Sequence, residues 1–353
     1  MVTEPAGPLS LEPWASRLLL TCARWRDTIV RIVTRRHCRF LLGLGIAAGA
    51  LLVLSQGCAR RRPAPPPVAA PPRPPAAGTL RIRLDQRIET LDVEEYVAGC
   101  VAAELGSVDL RPPAAARARD VQAILCRSYG LSAVGRHAAE GFDLCATTHC
   151  QLYRPVPATG VGRLSREAAS RTAGQVLLGD GRPFRPAYHA DCGGHTTTPG
   201  EVWGGPSPAY FASVADDACP RRPAWQSDIP IERLADLLRS ATGVSVEGPL
   251  RAVAVERRDR SGRASWVRIT GRQPLVIRGN DFRTAIIRGM GPSALPSTLF
   301  DIVQQGGRLR FEGRGNGHGV GLCEAGLIAR AARGESPSTI LAHYFPGSSV
   351  GYR

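Results

Sequence analysis

Lysine is missing from this chain altogether, so all 45 basic residues among its 353 are arginine, set against 30 acidic residues. That substitution of one cation for the other reads as a codon-composition bias rather than a binding surface. The arginines are scattered among the acids, with no aromatic-interleaved basic helix and no zinc-finger spacing, so a sequence pI of 10.1 does not point to nucleic acid. Anionic cell-surface polymers or lipid headgroups exploit the same charge more easily. Without lysine there is no GxxxxGK[ST] loop, and no GxGxxG with a downstream acid replaces it, which removes the common nucleotide-cradling motifs. Long apolar runs are also scarce. The one at residues 40–54, FLLGLGIAAGALLVL, is short for a spanning helix and normal for an export signal.

Arg31, Arg35, Arg36 and Arg39 precede that run and SQGCARRR follows it, so residues 40–58 read as a charged n-region and an h-region. Cys58 sits where a lipoprotein cysteine is expected, although Gln56 is bulky for a lipobox; a non-cleaved anchor fits the same residues. Either way the remainder is expected to be exported and held at the membrane, on the periplasmic or extracytoplasmic side. Residues 1–39 receive no function: they suit an interfacial helix around Trp14 and Trp25, or an upstream extension with the true start at Val30. Residues 59–78 form a Pro/Ala-rich linker whose polyproline stretches hold the next domain away from the membrane.

From residue 79 onward strands and helices mix without a regular βαβ rhythm, which predicts an α+β domain over 79–353. LRIRL at 80–84 alternates like a strand. LDVEEYVAGCVAAEL at 91–105 has a capping-box-like start at Asp92 and Glu95 and a stop at Gly106-Ser107. A second helix is expected from Pro112-Pro113 to about Val134, then a short helix near 166–172, a strand at 175–178, a helix at 231–241, a hairpin at 251–257 and 264–270, a strand at 309–312, and closing helices near 324–333 and 337–344.

In the first helix Val93, Val97, Cys100 and Val101 make an apolar stripe, and Glu104 continues it at helical spacing. Partial burial and the negative end of the helix dipole both disfavour an ionised carboxyl there, so its pKa should rise. Such an acid can protonate a leaving oxygen, as glycosidic cleavage requires; the bland alternative is a carboxyl that fringes the helix or caps an amide. His318 lies in GRGNGHGVG at 313–321, where glycine at every second position lets backbone approach a polar ligand, or merely makes a tight turn. His137, Cys145, His149 and Cys150 form a complete tetrahedral zinc set of structural type, while a Cys145–Cys150 disulfide is equally permitted after export. YHADCGGHTTTPGEVWGG at 188–205 gathers Tyr188, His189, Cys192 and Trp203. Cys192 beside His189 suggests a thiol nucleophile, with a Cys192–Cys219 disulfide as the plainer reading. Seven cysteines follow Cys58, so at least one stays unpaired.

Taken in order, EEYVAGCVAAEL, VQAILCRSYGLSA, HCQLY, YHADCGGHT, EVWG, SGRASWVRITG, NDFR, PSTLF and GNGHGVGLCEAG resemble the motifs of the SpoIID/LytB family, from about Thr79 to Tyr352. The resemblance implies a SpoIID-like α+β fold around a substrate cleft and a peptidoglycan lytic transglycosylase acting on peptide-stripped glycan strands. It puts the catalytic acid on Glu104, and substrate contacts on Arg127, Tyr129, Tyr188, Gly193, Gly194 and His318, with Trp203 as part of a sugar platform. It implies a structural zinc at Cys145, Cys150, His149 and His137. A non-catalytic, glycan-binding amidase enhancer with a cell-wall amidase as partner is the family's other role. The chain departs from the family with Asp120 in place of lysine, Leu105-Gly106 in place of Met-Pro, and Cys323-Glu324 in place of Ser-Gln.

Overall fold

The computed structural model describes residues 78–106, 108, 111–241 and 246–353. The expected extension, export segment, Cys58 and linker up to residue 77 lie outside the described residues. Among the described residues no helix is long and apolar enough to cross a membrane.

The domain begins with the antiparallel pair β1 (Thr79–Leu84) and β2 (Arg87–Asp92), and β3 (Leu144–Cys145) joins β1 in parallel. Helix α1 (Val93–Leu105) follows directly because Asp92 accepts a hydrogen bond from the Glu94 amide as N-cap. The other half of the expected capping box does not form: Glu95 is held instead by Arg166, at 2.8 Å. Burial of α1 goes beyond the predicted stripe, since Tyr96, Ala98 and Gly99 are buried beside Val93, Val97, Cys100 and Val101. At Gly99 a Cβ would lie 2.3 Å from the Tyr153 ring, so only glycine lets the loop after β3 pack there.

Helix α2 (Ala114–Ser132) runs through the centre, packed against α1, against α3 (Gly160–Arg171) and against β4 (Gln175–Gly179). Val121, Ile124, Leu125 and Ser128 are buried along it. Strand β4 is flanked by the short β5 (Arg182–Pro183) and by the C-terminal β14 (Ser349–Tyr352). The last two helices, α7 (Glu324–Ala332) and α8 (Pro337–Tyr344), also lie on α2.

Residues between about 225 and 313 build a separate hydrophobic cluster around Leu234, Leu238, Phe282, Phe300 and Phe311. Its framework is β7 (Trp225–Pro230), α5 (Ile231–Ser240), the hairpin β8 (Ala252–Arg258) and β9 (Ala264–Thr270), β10 (Pro274–Arg278), α6 (Gly279–Met290), β11 (Phe300–Gln305) and β12 (Arg308–Gly313). Sheet orders are β10-β9-β8 and β11-β12-β7, all antiparallel. A parallel two-residue bridge between β6 (Tyr188–His189) and β13 (Leu322–Cys323) brings the chain back to the first helices. Small antiparallel sheets with separate helices make the class α+β.

Candidate active site

Between the end of α1, strand β6, the short helix α4 (Pro199–Trp203), the glycine-rich loop and the start of α7 lies a cleft of about 900 Å³. Glu104 is on its wall, with Tyr129, Tyr188, Trp203 and His318. Burial raises the pKa of the Glu104 carboxyl, and a hydrogen bond donated by Tyr188 to its Oε1 at 3.1 Å opposes part of that rise. The Tyr188 hydroxyl is itself fixed: Gln151 Nε2 donates to it at 3.1 Å, and Gln151 Oε1 accepts from Tyr96 at 2.6 Å. The acid is therefore pinned by a relay reaching back to its own helix, and side-chain freedom is small.

Across the cleft stands Glu324, the first residue of α7, which spacing and motif had shown only as a departure from the family. Burial, and then the charge of Glu104, push its pKa up to about 8, so at neutral pH it is a neutral hydrogen-bond donor. The two acids are more than two hundred positions apart in the chain, and the β6–β13 bridge, together with the packing of α7 on α2, brings them to one cavity.

His318 is held neutral. Burial and the nearby charges of Arg263 and Arg283 lower its pKa to about 4. Its Nδ1 accepts the Val320 amide at 3.0 Å, which leaves the proton on Nε2. Trp203, half exposed, packs on it with ring centroids 5.1 Å apart. His189 also lines the cleft: it is buried and neutral, gives Nδ1–H to the Val320 carbonyl at 3.1 Å, and its Nε2 has no partner. Glycine at 317 is required because its φ is +102° and a Cβ would come within 2.8 Å of His189.

Three expectations are corrected. Arg127, expected to touch substrate, is 1% exposed and turned away from the cleft; its Nε donates to Glu94 at 2.9 Å and its other nitrogens to Thr172 and to the carbonyls of Ala169 and Gln175. Gly193 and Gly194 do not line the cleft; their positive φ values, +71° and +105°, wrap backbone around Cys192. Cys192 is neither a nucleophile beside His189 nor bonded to Cys219. It is a buried free thiol among Asp216, Cys219 and Cys323, away from the cleft.

The Cys/His loop borders the same cleft through His149 and Cys150. The ligand atoms of His137, Cys145, His149 and Cys150 all lie within 4.8 Å of one another. His137 Nε2 is 3.2 Å from Cys150 Sγ, and His149 Nδ1 is 3.5 Å from Cys145 Sγ. A sulfur and a nitrogen on one tetrahedral zinc stand about 3.5 Å apart, so the four fit such an ion. Glu140 contacts the other nitrogen of His137, as carboxylates behind metal-binding imidazoles do.

The site is thus a partly buried acid in a polar, aromatic-edged cleft on a mixed α+β scaffold. Comparison with known proteins adds what the chain is similar to. Residues 84–178 match the family model described as stage II sporulation protein, and residues 218–321 match a domain of unknown function. The chain is 26% identical to an uncharacterized protein of Brachyspira hyodysenteriae, over 74% of this chain and 67% of that protein. It is 21% identical to stage II sporulation protein D of Bacillus subtilis, over 86% of this chain and 87% of the relative. It is 22% identical to the amidase enhancer of the same organism, over 65% of this chain and 37% of the enhancer. The family model and these relatives together support a SpoIID/LytB family assignment and a cell-wall-related role.

Proposed function

We propose that this protein is a peptidoglycan lytic transglycosylase that cuts the bond between N-acetylmuramic acid and N-acetylglucosamine in glycan strands stripped of their peptides. The observation that carries the proposal is Glu104, a carboxyl whose pKa is raised by burial and which is held by Tyr188 on the wall of a cleft large enough for sugars. Glu104 gives its proton to the glycosidic oxygen as an oxocarbenium-like transition state develops. The resulting carboxylate then takes the proton of the muramoyl 6-hydroxyl, which attacks its own anomeric carbon and closes a 1,6-anhydro ring. Intramolecular attack needs no positioned water, so a single acid suffices. Neutral Glu324 supplies a donor to sugar oxygens, His318 backs Trp203 on the cleft wall, and Trp203 and Tyr129 supply flat surfaces for the pyranose faces.

Zinc held by His137, Cys145, His149 and Cys150 would act as a structural cross-link that shapes the loop beside the cleft. The chain is exported and kept at the membrane by its N-terminal segment, by lipid at Cys58 or by an uncleaved anchor, facing the wall on the extracytoplasmic side.

The relative named amidase enhancer supports a second reading, in which the cleft holds glycan and stimulates a cell-wall amidase without cutting. Digestion of intact and peptide-stripped sacculi, read by mass spectrometry, separates the two. Anhydromuramic ends appearing chiefly from the stripped material support the enzyme; retention on glycan with unchanged chain length would replace it with the binding role.

A further inference from the structure

Behind the cleft wall three cysteines and an aspartate from distant parts of the chain converge. Cys192 follows β6, Asp216 and Cys219 come from the loop before β7, and Cys323 ends β13 and caps α7. All four are buried, and their ligand atoms lie within 4.8 Å of one another. Cys323 Sγ is 3.7 Å from Cys219 Sγ, and Cys192 Sγ is 3.5 Å from Asp216 Oδ2. Two thiolates on one tetrahedral zinc are about 3.8 Å apart, so the spacing suits a shared ion and is far from a bonded sulfur pair.

The surroundings favour negative sulfur. The Cys192 amide donates to Cys323 Sγ at 3.2 Å, the Gly194 amide to Cys192 Sγ at 3.3 Å, and the Gly326 amide to Cys323 Sγ at 3.4 Å. These bonds give Gly193 and Gly194 their purpose: the positive φ values turn the chain so that the Gly194 amide reaches the sulfur. Asp216 is oriented by the Tyr344 hydroxyl at 2.7 Å and by Arg330 at 3.4 Å. Arg263, fully buried, donates to the Cys192 carbonyl at 2.7 Å and leaves Nε and Nη1 without a partner. Three thiolates and a carboxylate exceed a divalent cation by two negative charges; the buried Arg263 offsets part of that excess, Arg330 is shared among Asp216, Asp217 and Glu335, and Asp191, 3.3 Å from Cys219 Sγ, is itself paired with Arg222.

We propose that Cys192, Cys219, Cys323 and Asp216 hold a divalent, thiophilic cation, with zinc the best match, in a closed four-ligand site separate from the Cys145 loop. Binding displaces the three thiol protons to solvent. The site staples together the segment carrying Tyr188 and His189 and the one carrying His318 and Glu324, so it positions the cleft wall without touching substrate. A disulfide within the trio would instead leave one thiol buried beside Asp216.

The test uses the full chain carrying Cys145→Ser and Cys150→Ser, which silences the other loop. Elemental analysis of the purified protein should find about one equivalent of zinc per chain, lost when Cys219→Ser is added. Cobalt(II) added to the zinc-stripped protein should give thiolate charge-transfer bands and the intense visible bands of a tetrahedral ion. Asp216→Asn, nearly isosteric and independent of any folding defect in the cysteine variant, should weaken cobalt binding at least about tenfold. The proposal is overturned if the reduced chain binds neither metal, if peptide mapping of the isolated protein finds two of the three cysteines joined, or if Asp216→Asn leaves cobalt affinity unchanged.

Discussion

Glu104 and Glu324 face one cavity, and the charge of Glu104 bears on Glu324. Glu324 has a pKa of 4.5 when exposed and about 8 here, raised by burial and then by the charge of Glu104. Its contribution to stability is therefore fully present below 4.5 and is lost as the pH climbs through about 8. Glu324→Gln removes that titration, so the thermal midpoint of the variant should fall less between these pH values than that of the parent; equal slopes would show that Glu324 is not held neutral. The same variant should leave the alkaline limb of the pH–rate profile in place, because Glu324 is still neutral where Glu104 titrates and burial is what raises the Glu104 pKa. Tyr188→Phe does move that limb: the lost hydrogen bond had favoured the carboxylate, so the limb should move upward. The rate at neutral pH should fall roughly fivefold, about 1 kcal/mol for one net hydrogen bond. An unchanged limb would mean that the tyrosine does not hold the acid. Sequence pointed to Glu104 because a polar residue interrupted a helical stripe. Glu324 left no such trace, since its meaning depends on a neighbour brought in by a remote strand bridge.

At the scale of elements, legibility followed local signals. The start of α1 at Asp92, the span of α2 up to the glycine at 135 and the β8–β9 hairpin were readable because caps, periodicity and turn residues are short-range physics. Strands β7 and β11 escaped notice: each is half exposed with an irregular pattern and is defined by pairing with β12 rather than by its own residues. Arg127 was misplaced for a related reason. The resemblance put it among the substrate contacts, but α2 is enclosed on nearly all sides, and the groups that hold the guanidinium, the Glu94 carboxylate that balances its charge and the Thr172 hydroxyl that accepts a hydrogen bond, lie outside α2. It joins α1, α2, α3 and β4. Arg127→Gln should therefore lower stability by about 2–4 kcal/mol, toward the cost of breaking a partly buried ion pair, with KM for glycan changed less than about threefold well below the melting point. A tenfold rise in KM with unaltered denaturant midpoint would return Arg127 to the substrate site.

In the whole molecule, a cluster centred on Phe282, Phe300 and Phe311 and the helical layers around α2 meet along the cleft, which draws its lining from α1, β6, α4, α6 and α7. The family resemblance was legible because several ordered motifs recur along the chain, and some of them, such as the end of α1, YHADCGGHT, EVWG, NDFR and the glycine-rich loop, supply cleft-lining residues. The buried thiol cluster was not, because its cysteines are separated by long and irregular intervals that match no metal-binding spacing. The account's central claim is that one partly buried carboxyl supplies the proton for cutting glycan. The most direct measurement is release of 1,6-anhydromuramic ends from peptide-stripped glycan by the parent and by Glu104→Gln, which keeps the shape and the Tyr188 contact but removes the acid. The account predicts a loss of at least about 100-fold with glycan binding retained; release at the parental rate would contradict it.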